Sequence, residues 1–548
     1  MEKRFIAAAA LSLAVLLAWQ WFGPKPPKRP APPAEPTAVA AAGAAPGVAP
    51  GNATVAAPAP SAPPTLPAPE SAEAEATVAL SNDVLKATFS NRGGVLTSLV
   101  LTGHFDEQKR PLELVRTLPA DLPRPLGLDF ATDPALTKKI SQALFVPEQE
   151  PGVVRFRYAD ASVAVVKEFR LNKGYLFDMR VSVTGPAYGV LVGPGLRNPT
   201  EAERGSRYVM PASAVVETPD GIKVVTAEKA SARDAWALPP RSFAGVEDNY
   251  FLTALVPKAA STARVLTFAL PRPEGKPVLE IATAVSAPGV FEGSVYAGPK
   301  DIPILESYNL GLERTVDFGW YGVLARPLLW LMRRTHAFVG NWGVAILVVT
   351  LIIRVLLFPL TAKSYVSMKK MQKLAPRMNA IRDKYKKAKS DPAQRQKMNT
   401  EMMALYQSEG ANPMSGCLPM VLQLPILFAF YKVLSNAIEL RQAPFFLWVK
   451  DLSAIDGTYV LVILMVISMY VQQAMTPSTM DPAQKKIFMF MPVFMGFIFK
   501  DMPAGLVLYW FFSNLLTIVQ QLVMNRIVKE DDPSPPPRGA KALKQARA

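Results

Sequence analysis

A single arginine, Arg354, interrupts an otherwise apolar run from Phe338 to Leu360, and no acidic residue in that run neutralises it. A guanidinium placed there costs roughly 2.5–3.5 kcal/mol on insertion scales, so its presence points to function. Thr350 lies one turn before it and Thr361 two turns after it, on one helical face. Four more apolar spans follow, Leu418–Ile438, Tyr459–Ala474, Ile487–Phe499 and Ala504–Val523, none with Asp or Glu. They carry polar groups of their own: Gln423; Gln472 and Gln473; and Ser513, Asn514, Thr517, Gln520 and Gln521, capped by Trp510. At about 100° per residue the last five fall in one stripe about 120° wide. A cation without an anion, facing polar groups on several helices, predicts a hydrated, positively charged cavity. Two plainer readings compete. Arg354 is close enough to the end of its run to snorkel to the surface, and the stripe could be interhelical hydrogen-bond glue worth under about 1 kcal/mol per pair.

The rest of the composition excludes other chemistry. The lone cysteine, Cys417, permits no intrachain disulfide. His104 and His336 are the only histidines, too few for a histidine metal cluster and a poor basis for Ser-His-Asp catalysis. No Walker-type glycine loop is present, so no nucleotide is expected, nor any cofactor or metal. Half of the 548 residues are hydrophobic and the net charge is +16, which fits a membrane part joined to a large soluble part.

These residues need a scaffold, and the chain suggests one. Lys3 and Arg4 precede an apolar stretch ending in Trp19-Gln20-Trp21-Phe22, which predicts an uncleaved anchor at residues 1–22 with the N-terminus in the cytoplasm. An Ala/Pro-rich tether occupies 23–76. From 77 to 316, period-2 alternation broken by turns such as Asn91-Arg-Gly-Gly94 predicts an antiparallel β-sandwich without intervening helices. Residues 317–337, with Trp320, Leu324, Leu328 and Pro327, read as an amphipathic helix lying on the membrane surface. The helical core then spans 338–525, with a cytoplasmic helical hairpin at 363–410. Between Lys363 and Lys397 that hairpin carries twelve Lys/Arg against two acids, suited to anionic lipids. Its Met371, Met378, Met398 and Met402 offer adaptable apolar contacts. A basic tail closes the chain at 526–548. By the positive-inside rule the hairpin and both termini are cytoplasmic and the sandwich lies outside. Intramembrane acids are absent, which weighs against the alternative of a secondary transporter.

The stretches Leu351–Thr361 (LIIRVLLFPLT), Asn412–Pro419 (NPMSGCLP) with Gln423 and Pro425, Glu439–Phe445 (ELRQAPF) and Gly505–Asn514 (GLVLYWFFSN) closely resemble the YidC/Oxa/Alb superfamily of membrane insertases, in its Gram-negative form. The resemblance implies a multi-pass protein of the bacterial inner membrane with a five-helix core. It also implies a large periplasmic β-super-sandwich related in shape to sugar mutarotases. The expected activity is non-enzymatic insertion and folding of nascent membrane proteins, alone or with the Sec translocon, in contact with the ribosome and the signal recognition particle system. It assigns Arg354 to a substrate groove lined in part by Thr350 and Gln423. The family's substrate-contacting tyrosine pair corresponds here to Tyr509 and Trp510, so the second position departs from the pattern. Cys417 matches a family cysteine.

Overall fold

Alternating side chains build the outer part strand by strand. In β2 (Leu85–Ser90), Leu85, Ala87 and Phe89 are buried while the residues between them point outward. The turn that follows uses Gly93 and Gly94 at φ 73° and 54°, a left-handed backbone that favours glycine. β2 joins β1 (Thr77–Ser81), β3 (Val95–Phe105) and β4 (Pro111–Glu113) in a four-stranded sheet beside a five-stranded and a nine-stranded sheet, with antiparallel pairing. The computed structural model describes residues 68–197, 210–231, 234–270, 277–385, 391–409, 418–476 and 487–527. The expected anchor, nearly all of the tether, Cys417 and the tail beyond Ile527 lie outside them.

Helices do interrupt the strands, against expectation. α1 (Pro134–Gln142) is capped by Asp133, whose side chain accepts from the Leu136 amide, and buries Leu136 and Ile140 against the sandwich. α2 (Ile302–Ser307) closes the domain and buries Leu305. His104 lies inside β3 with its ring edge-on to Phe251 at 5.5 Å.

A helix does form in this region, as α3 (Gly322–Val339), burying Ala325, Leu328, Leu329 and Met332 and leaving Val323, Leu324 and Trp330 exposed, with Trp320 exposed just ahead of it. Gly340, at φ 66°, ends it two residues later than expected. Asn341 then caps α4 (Trp342–Lys384), so Phe338 and Val339 finish one helix rather than start the next. α4 runs unbroken through Pro359 into the first arm of the hairpin. Asp391 and Pro392 start the second arm, α5 (Pro392–Ser408).

α6 (Leu418–Asn436), α7 (Val460–Met475), α8 (Met491–Phe499) and α9 (Ala504–Ile527) complete the described bundle. α4 and α9 are the two helices among the described residues that are both long and apolar enough to cross a membrane; α6, α7 and α8 are shorter apolar helices. α9 packs between α4 and α7, α8 packs on α7, and α6 rests mainly on α3.

The outer domain is not independent of this bundle. Asn249 Nδ2 donates to the Ser435 carbonyl at 3.0 Å, just before α6 ends. Gln442 Nε2 and Arg441 Nη1 both donate to the Phe105 carbonyl, at 2.9 and 3.2 Å. Arg441 also stands over the Phe251 ring, 5.4 Å from its centroid. Arg333 of α3 pairs with Glu439 and lies 3.8 Å from Asp301 of the sandwich. The apolar core is likewise continuous from sandwich to bundle.

Candidate functional site

Arg354 sits on α4 six residues before Leu360, partly buried, and reaches across to α9. Its Nη2 donates to the Ser513 carbonyl at 3.2 Å and to the Ser513 hydroxyl. Among the described residues no carboxylate pairs with it. One turn earlier on α9, Tyr509 accepts a hydrogen bond from Gln423 Nε2 of α6 and stacks on Phe430 at 4.1 Å. Thr517, one turn later, donates to the Ser513 carbonyl at 2.9 Å. Arg354, Gln423, Tyr509, Ser513 and Thr517 therefore meet where α4, α6 and α9 face one another. α6 touches α4 and α9 less extensively than α4 and α9 touch each other, and the Gln423–Tyr509 hydrogen bond and the Phe430–Tyr509 stack join it to α9.

Two predicted residues stand apart from this cluster. Thr350 is 2% exposed and donates to the Ile346 carbonyl at 2.6 Å, so its hydroxyl is satisfied within its own helix. Trp510 turns away and meets Phe499 of α8 edge-on, with centroids 5.0 Å apart. Adjacent residues on a helix point about 100° apart, so Tyr509 and Trp510 cannot both face α6.

The polar stripe of α9 also divides. Ser513 and Gln520 bond Arg354 and Thr361 of α4, each partner 159 positions earlier, and Asn525 accepts from Tyr365, 160 positions earlier. Asn514 and Gln521 instead bond Ser468 of α7 and Thr476 just beyond it, at offsets of 46 and 45. Constant offsets mean that α4, α7 and α9 run parallel. Much of the stripe is thus interhelical hydrogen bonding, and Arg354 is the charged group among its partners. The sequence shows which α9 residues are polar, but not the partner of each, which is how Ser468, Tyr365 and Asn525 escape notice.

In the hairpin, Met378 is 2% exposed and forms a small core with Leu374 and Tyr406, against which Met371 and Met402 pack. Those three methionines join the two arms, aided by the Arg377–Glu409 and Lys384–Glu401 ion pairs. Met398 is partly exposed, whereas Met403 is 51% exposed. The open apolar surface of the hairpin is therefore smaller than the methionine spacing suggests.

Residues 77–331 match the family model of the YidC periplasmic domain, and residues 334–531 match that of the 60Kd inner membrane protein. The membrane protein insertase YidC of Syntrophus aciditrophicus is 34% identical, covering 96% of this chain and 100% of its own. That of Geobacter metallireducens is 35% identical, with coverages of 96% and 99%. A crystal structure of an active YidC insertase, with its first transmembrane domain resolved, aligns over 84% of this chain and 95% of its own. Its sequence identity is 20% and its TM-score 0.37.

Proposed function

Because the chain belongs to the YidC family of membrane protein insertases, we propose that it inserts hydrophobic segments of nascent proteins through the polar cleft around Arg354. The activity is non-enzymatic and needs no nucleotide. A short hydrophilic tail enters from the cytoplasm, where Arg354 lowers the cost of holding polar and especially acidic groups between helices. The following hydrophobic segment leaves sideways into lipid along the outer faces of α4 and α6, where Leu351, Val355, Leu356, Val421 and Phe428 are exposed. Transfer of apolar surface out of water supplies the energy. Gln423, Tyr509, Ser513 and Thr517 line the path. Trp510 supports α8, and Thr350 holds its own helix.

The protein spans the inner membrane several times with both termini in the cytoplasm and the sandwich in the periplasm. The basic hairpin meets anionic lipid, the ribosome and the signal recognition particle system, and some substrates arrive from the Sec translocon. The observation carrying this reading is Arg354 itself: a cation inside the bundle, held by a serine and unpaired with any described carboxylate. A photo-crosslinking residue at Gln423 or Ser513 should trap arrested nascent chains through the segment preceding their hydrophobic stretch. A control at Ile463, 55% exposed on α7, should not. Equal trapping from all three positions would reject the path.

A further inference from the structure

Two tight turns at the outer end of α4 carry a group of exposed apolar side chains that the insertion path does not use. The first ends α3, with Phe338 89% and Val339 40% exposed. The second follows α6, with Phe446 56% and Leu447 84% exposed. They are fastened together. Asn341, the cap of α4, donates through Nδ2 to the carbonyls of Pro444 and Phe445 at 3.3 and 3.2 Å. The Phe445 ring lies over Gly343 so closely that a Cβ there would sit 2.1 Å from it.

The second turn is also rigid. The Phe445 amide donates to the Val449 carbonyl at 2.9 Å, and the Val449 amide to the Phe446 carbonyl at 3.1 Å. Its base is held by Asp451 Oδ1, which accepts from the amides of Gln442 and Ser453. Leu447 is kept at φ 55°, a strained conformation for a branched side chain, at the most exposed point of the turn. No charged residue occurs from Ala337 to Ile353 or from Gln442 to Val449.

We propose that Phe338, Val339, Phe446 and Leu447 form a fixed apolar keel seated in the outer leaflet of the membrane, at the level of the first turn of α4. The inference rests on α4 crossing the bilayer with its N-terminal end outward. From Trp342 to Leu360 the apolar part of α4 is about 28 Å long at about 1.5 Å per residue, close to the roughly 30 Å hydrocarbon core. Trp342 therefore marks the boundary, and the keel is tied to that level by Asn341 and Phe445. An uncharged, preformed apolar surface continuous with the lipid-facing side of a spanning helix suits acyl chains, which need no hydrogen-bond partners. The keel fixes the depth at which α4 holds Arg354.

The test uses the full chain with Cys417→Ser and single cysteines at Phe338 or Leu447. Each carries a nitroxide, in nanodiscs of phosphatidylethanolamine and phosphatidylglycerol holding one chain each. Collision rates with oxygen and with a water-soluble nickel chelate are compared with those at Val224 on the sandwich and Val355 on α4, which are 48% and 64% exposed. Labels at Phe338 and Leu447 should favour oxygen several-fold more than the label at Val224 does. Nickel collisions as frequent as at Val224 would overturn the keel. Shielding from both reagents would also overturn it, since it would place protein over the patch. A label at Val355 that meets nickel freely would instead refute the spanning of α4, so the two failures are separable.

Discussion

Replacing Arg333 with Met removes the cation that α3 places between Glu439 of the bundle and Asp301 of the sandwich. The Arg333 Nε–Glu439 bond is 2.6 Å long, and the two side chains are 26% and 14% exposed. That lies between a surface pair, worth about 0–1 kcal/mol, and a buried one, whose breakage costs about 3–5 kcal/mol. A loss of about 2 kcal/mol is expected, read as a fall of about 2–4 °C in the melting temperature of the detergent-solubilised chain. The loss should depend on pH. Burial, followed by the nearby Glu439 carboxylate, raises the Asp301 carboxyl above its ordinary value. A carboxyl raised on folding binds its proton more tightly in the folded state, so acidification through that raised value favours folding. Without Arg333 the two carboxylates repel, and protonating one relieves the repulsion. The deficit of Arg333→Met should therefore be larger at pH 8 than at pH 5, and Glu439→Gln added to it should recover part of the deficit at pH 8. A deficit equal at both pH values and untouched by Glu439→Gln would refute the argument that this ion group clamps sandwich to bundle.

Two further outcomes follow from the outer domain. Lys167 is fully buried, its Nζ donates to the carbonyls of Gly93, Gly94 and Leu126 at 2.8, 3.1 and 3.0 Å, and burial pushes its ammonium down to about 7. Lys167→Met strands three carbonyls and should cost about 3 kcal/mol or more in thermal unfolding, whereas Lys223→Met on the exposed edge strand should be near neutral. His104 is held down to about 4 by burial and then by Arg441. A base lowered on folding contributes stability that is present above about pH 6.5 and lost progressively as pH falls to about 4. His104→Phe should remove that part of the acid slope, and an unchanged slope would exclude the histidine.

The sequence carries the kinds of residue that matter more clearly than their partners. Arg354 is legible because an uncompensated cation in an apolar run is costly wherever the helix lies. β2 is legible because Leu85, Ala87 and Phe89 alternate with polar residues, and the start of α5 because Asp391-Pro392 supplies both cap and first turn. The split of the α9 stripe is not legible, because angular position on one helix does not say which neighbour stands at which angle. The neighbour of Trp510 is hidden for the same reason, since nothing on its own helix marks Phe499 of α8 as the ring it meets. The break at Gly340 hides because apolar residues continue on both sides of it. The short α1 hides because two buried residues, Leu136 and Ile140, make too little periodicity to stand out among strands. The clamp brings Glu439 to Arg333 and Asp301, each more than a hundred positions earlier, and no local pattern marks such a pairing.

The most direct test of the central claim, that the charge of Arg354 assists insertion, compares two substrates that differ in their translocated tails. One tail is acidic, the other neutral, and both are followed by the same hydrophobic segment. Insertion rates are measured in proteoliposomes holding the wild-type chain, Arg354→Lys or Arg354→Ala. Long-range attraction in a medium less polar than water predicts that Lys keeps most of the rate for both substrates, and that Ala slows the acidic tail far more than the neutral one. An Ala variant that inserts the acidic-tailed substrate at the wild-type rate would contradict the account.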